Sequence, residues 1–185
     1  MSNIRPTSRD AILEAAFQLF NEKPTASLGD IAERAGVGRA TLHRHFSSRE
    51  QLMIALAHSA NTELNEAIEK ATADAASHTE ALRQTLTAIV PLANRQWFLA
   101  NETVDTDPTI KAAYQADRKQ LLELIRSAQS EGTFAEDVPA LWIAQSYENL
   151  IYAAWSMVRD DEVTASQAAD LAWRTLTTGL NGGTK

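Results

Sequence analysis

The sequence predicts an all-α protein, because apolar residues recur every three or four positions, helix-start signals repeat along the chain, and no stretch alternates as a half-buried strand would. Four capping pairs supply the start signals: Thr7 with Asp10, Ser27 with Asp30, Ser47 with Glu50, and Thr164 with Gln167. In each, a hydroxyl precedes by three residues a side chain able to reach back to the cap backbone. Asp107 before Pro108 marks a further start, since the N–H that proline lacks has no partner at the first helical position.

A first helix is expected over about 8–21, with Leu13, Ala16, Phe17 and Phe20 as its apolar stripe. Short helices follow near 28–35 and 39–45, and a long one from Arg49 to about residue 72 carries Leu52, Leu56, Leu64 and Ile68. Further helices are expected near 79–90, 92–103, 108–131, 138–159 and 165–180, with Gly132 and Gly179 as terminators. The chain divides into a head, residues 1–50, and a larger helical domain, residues 51–185, with the long helix as a rigid joint. Asn181, Gly182 and Gly183 form a loose C-terminal end.

Charge divides in the same way. The formal net charge is -7, yet the first sixty residues hold seven Lys/Arg against six Asp/Glu and the rest hold ten against eighteen. Only the first part suits a polyanion. The chain has no cysteine, which excludes disulfides and thiolate metal sites and points to a reducing cytoplasm. Residues 1–10 hold no apolar signal-peptide core, and no later stretch reaches the roughly 18 apolar residues of a membrane span. The expectation is a protein with no membrane partner.

The stretch from Ser27 to Phe46 carries the chemistry. Two short helices crossing at roughly 90–120° need small residues at the crossing and apolar ones beneath it. Ala32 and Ala35 allow close approach, Gly36 can adopt the left-handed conformation that ends the first helix, and Ile31, Val37 and Leu42 form the wedge. The second helix then presents Arg39, Ala40, Thr41, His43, Arg44 and His45, a small and donor-rich face suited to base edges and phosphates in a major groove.

The segment resembles the DNA-binding domain of the TetR family of bacterial regulators over about residues 8–56. The run Gly36, Val37, Gly38, Arg39, Ala40, Thr41, Leu42, His43, Arg44, His45, Phe46 follows the family pattern except at His43, where the family usually has a tyrosine that meets a phosphate. Imidazole there weakens or replaces that contact, or makes it sensitive to pH. The resemblance implies that Ser27 caps the second helix and touches phosphate. It implies as well that Arg39, Ala40, Thr41 and Arg44 face bases or adjoining backbone, and that Arg49 holds a phosphate at the start of the fourth helix.

Beyond residue 75 the resemblance is architectural, and it implies a ligand cavity and a dimer surface. Trp97, Phe98 and Tyr114 lie on helices that enclose a cavity in the family, and Tyr147, Glu148, Ile151 and Trp155 are further candidates for ligand contact. Glu148 is the single charged residue of the apolar run from Val138 to Val158, so it must be paired, hydrated, or kept for a cationic or amine-bearing ligand. Trp142, Tyr147, Tyr152 and Trp155, with Ala168, Ala169, Ala172, Trp173, Leu176 and Leu180, suit the four-helix dimer interface that the family builds from its final two helices; the alternative is an internal core stripe, and an operator read twice favours the dimer.

Enzyme chemistry has no visible machinery: no Gly-x-Ser-x-Gly, no phosphate-cradling glycine loop and no Glu-x-x-His pair occurs, and His43 and His45 stand at i and i+2 rather than at ligand spacing. No metal and no cofactor is expected. The resemblance implies a homodimeric regulator of transcription that binds a two-fold symmetric operator in double-stranded DNA and leaves it when a small-molecule effector binds. The alternative is a helical adaptor or small-molecule carrier that keeps the head as scaffold.

Overall fold

A computed structural model describes residues 7–92 and 107–180. Eight helices and one short 3-10 turn, Val90–Leu92, make up its regular structure, and the described residues include no strand. The helices are α1 Ser8–Glu22, α2 Leu28–Arg34, α3 Arg39–His45, α4 Arg49–Thr72, α5 His78–Ile89, α6 Pro108–Ser130, α7 Ala140–Arg159 and α8 Ala165–Thr178. The helix expected over 92–103, with Trp97 and Phe98, lies outside the described residues, as does the 181–183 tail.

Local chemistry sets most of the boundaries. Thr7, Ser27 and Thr164 each close a capping box with Asp10, Asp30 and Gln167. Asp107 accepts from the N–H groups of Thr109 and Ile110 at the start of α6. Gly132 and Gly179 follow α6 and α8 at φ 83° and 71°, where a side chain would be strained. The cap of α4 departs from expectation. Ser48, not Ser47, accepts from Gln51 N–H at 3.2 Å, while Ser47 donates its N–H and hydroxyl to the Gln51 side chain.

Two apolar clusters hold the chain together. The first joins α1, α2 and α3 to the N-terminal half of α4, with Ile12, Phe20, Ile31, Leu52 and Leu56 fully shielded. It runs past residue 50 to Ala60, so the head core ends inside α4, and it also takes in Ile110 from the first turn of α6. The second gathers Leu82, Leu86, Ile125, Ile143, Tyr147 and Trp155, with Leu64 and Ile68 of α4 packed against it. α4 therefore supplies side chains to both clusters.

Two hydrogen bonds tie α7 to the segment from α5 to the 3-10 turn. The Tyr147 hydroxyl donates to the Leu82 carbonyl at 2.8 Å, and the Trp155 indole N–H donates to the Ile89 carbonyl at 3.1 Å. On α8, Ala168, Ala169 and Ala172 are buried within this same chain. The dimer surface expected from sequence is corrected accordingly: Tyr147, Trp155 and these three alanines belong to the internal core. The large apolar residues turned outward on and after α7 and α8 are Leu141, Trp142, Tyr152, Met157, Leu171 and Leu180, with Trp142 69% exposed.

Candidate nucleic-acid interface and effector cavity

The head is built around one turn. After α2, Gly36 takes φ 66°, and Val37 N–H bonds back to the Ala32 carbonyl at 3.0 Å, which turns the chain toward α3. Ile31 and Leu42 lie beneath the crossing, 0% and 1% exposed. Leu42 and Phe46 are the inward anchors of the second helix and its end. With those side chains inside, Arg39, Ala40, His43, Arg44 and His45 are exposed and Thr41 is half-buried.

Ion pairs distinguish structural cations from available ones. Arg34 clamps Glu22 of α1 through two bonds of 2.7 and 3.3 Å, which hold the Glu22 carboxyl below its usual range. Lys23 stands 3.5 Å from Asp30, whose carboxylate also accepts the Ser27 N–H. Arg9 lies 5.6 Å from the Phe46 ring. Arg39 and Arg44 have no ion pair among the described residues, so their charge is available to phosphate.

The expected role of Arg49 meets a different geometry. Its guanidinium donates to the carbonyls of Ala26 at 2.7 Å and Pro24 at 2.8 Å, and it sits 4.3 Å from the Phe20 ring centre. Here it fastens the loop that feeds α2. Ser27 is exposed and caps α2, its hydroxyl accepting from Asp30 N–H at 3.2 Å.

In the larger domain, α4, α5, α6 and α7 enclose a cavity of about 410 Å³, within the usual range for a small-molecule site. Leu64, Ile68, Ile89, Leu121, Leu124 and Ile151 form its apolar wall. Of the ligand residues expected from sequence, Tyr114, Tyr147, Glu148 and Ile151 line it. Trp155 does not. It is 6% exposed with its indole N–H committed to Ile89, and it packs behind the wall. Asp117, Arg118 and His58 also line the cavity and went unrecognised in the sequence. Burial pushes the Asp117 carboxyl up. Ile110 lines the cavity and is also buried in the head core.

A more open groove of about 660 Å³ lies between α7, α8 and residues 133–138, with Trp142 among its lining residues. No helix among the described residues is long and apolar enough to cross a membrane. No group of three His, Asp or Glu among them is arranged to hold a metal ion.

A three-helix head whose third helix is exposed and basic, joined by one continuous helix to a cavity-bearing domain, defines a helix-turn-helix regulator. Residues 12–56 match the family model for bacterial regulatory proteins of the tetR family. The chain is 31% identical over 180 residues to the HTH-type transcriptional repressor LfrR of Mycolicibacterium smegmatis, covering 97% of this chain and 93% of that one. The crystal structure of LfrR in complex with proflavine superposes with a TM-score of 0.78 at 29% identity, covering 96% of this chain and 99% of that one. PfmR of Thermus thermophilus shares the fold at a TM-score of 0.77 and 24% identity, over 92% and 99% of the two chains. The chain belongs to the TetR family and is a transcription regulator.

Proposed function

We propose that the chain is a homodimeric repressor that reads a two-fold symmetric operator with α3 and leaves it when a small molecule fills the cavity between α4, α6 and α7. Arg39, Ala40, Thr41, His43, Arg44 and His45 approach bases and backbone, with Ser27 at a phosphate. Arg49 acts from behind in this proposal, holding the loop in front of α2. The observation that carries the ligand response is the course of α4. Leu52 and Leu56 are locked into the head core, while Leu64 and Ile68, two and three turns further on, line the cavity.

A ligand that displaces the cavity end of α4 or the first turn of α6 displaces the head core with it, because Ile110 is part of both. Coupling of this kind is worth about 1–3 kcal/mol when the ligand favours the conformer with misplaced heads. LfrR is named a repressor and its structure holds proflavine, which supports repression and an aromatic effector for this chain too. Two heads are needed because each recognition helix reads one half-site and the half-sites lie about 34 Å apart.

Selection from a randomised duplex pool tests this. The purified chain is expected to enrich an inverted repeat, to bind it as two chains per duplex by sedimentation, and to bind it less tightly as salt rises. A pool that remains random, or a single chain per site, contradicts the proposal.

A further inference from the structure

We propose that the cavity takes an organic cation with an apolar body, its charge met by the carboxylates of Glu148 and Asp117. This rests on the cavity being the effector site, as set out above. Glu148 is half-buried on α7, and Asp117, more exposed, stands on the facing helix, α6. Neither carboxylate has a hydrogen-bond or ion-pair partner among the described residues. Besides the two tyrosines, the other charged or titratable side chains on the described cavity lining are Arg118 and His58, and neither is within ion-pair distance of these carboxylates. Two carboxylates against one guanidinium leave the lining with an excess of negative charge.

Glu148, half-buried beside an apolar wall, loses part of its hydration with no described side chain to replace it, so an incoming cation gains more there than it would in water, and Asp117 adds its charge at the more open side. An anion meets repulsion and desolvation together. A bare metal ion is a poor occupant, because no three His, Asp or Glu side chains among the described residues are arranged to hold one. The rings of Tyr114 and Tyr147 add surface that attracts cations, and the Tyr147 hydroxyl is already spent on Leu82. The partial burial that raises the Asp117 carboxyl agrees with this setting.

Isothermal titration of the full chain near neutral pH with three probes of one ring system tests it: 1-naphthylmethylammonium, neutral 1-naphthylmethanol and anionic 1-naphthoate. The ammonium is expected to bind roughly tenfold or more tightly than the alcohol, and the naphthoate most weakly. In Glu148→Gln the gap narrows, and in the Asp117→Asn, Glu148→Gln double variant it closes, while thermal unfolding is unchanged. Equal binding of ammonium and alcohol, no binding by any probe, or an ammonium preference that survives the double variant overturns the proposal. Operator binding by the unliganded chain, measured alongside, separates the two ideas. It persists if only the cation proposal fails, and it is absent if the regulator itself is misread.

Discussion

The guanidinium of Arg39 rests against Gly29, so close that a Cβ on Gly29 would stand 3.4 Å from Nη2. The contact crosses from the first turn of α2 to the first residue of α3. Gly29→Ala is therefore expected to keep the fold, because the neighbour is the free end of a flexible side chain. Alanine in a helix is worth about 0.5–1 kcal/mol over glycine, so thermal unfolding should move up by a few degrees. A fall in unfolding temperature would mean that Arg39 cannot give way.

Trp155→Phe should lower stability by about 1–3 kcal/mol, through lost indole volume and the lost bond to the Ile89 carbonyl. Probe affinity at the cavity should stay the same, since Trp155 packs behind the wall and not on it. Denaturant unfolding and titration together decide this. A large loss of affinity with stability intact would return Trp155 to the ligand site.

Glu131 makes the fold sensitive to acid. Its carboxylate closes the N-terminus of α5, accepting the hydroxyl and N–H of Thr79 and the N–H of His78, and these bonds hold its pKa down to about 2 from 4.5. A depressed carboxylate contributes its full stabilisation above about pH 4.5, where both states are ionised. Between 4.5 and about 2 the unfolded chain takes up a proton that the folded chain refuses, and the contribution is lost. Glu131→Gln should flatten the fall in unfolding temperature over that interval. An unchanged slope would show that the cap is not what titrates.

How far these features were legible in the sequence follows from how local their causes are. The capping boxes at Thr7, Ser27 and Thr164 and the turn at Gly36 depend on a few neighbouring residues, and helix starts and crossing were readable from them. The choice of Ser48 over Ser47 was not, since both hydroxyls precede the helix and Gln51 serves either. Arg49 is bound by carbonyls 23 and 25 residues earlier, a contact without any local trace. On α7 the aromatic residues occupy both faces, so which of Trp142, Tyr147 and Trp155 turns outward depends on where α5 and α8 pack. Asp117 precedes Arg118 and Lys119, and in sequence that run reads as a solvated face rather than part of a cavity lining.

Trp142 is 69% exposed beside Leu141 on the outer side of α7, where the proposed partner would cover it. Trp142→Asp should convert a dimer to a monomer in sedimentation equilibrium and leave the helical content unchanged. Operator affinity should fall with dimerisation, because one head alone reads half a site. A variant that remains dimeric would place the interface elsewhere.

The claim at the centre is that α3 reads DNA through its exposed basic face. The direct measurement is the affinity of Arg39→Ala and Arg44→Ala for the selected operator and for a scrambled duplex, with circular dichroism confirming the fold. Each variant is expected to lose about 1–3 kcal/mol on the operator, with stability unchanged because both side chains are exposed and without an ion pair among the described residues. Operator affinity equal to that of the parent chain in both variants would contradict the account.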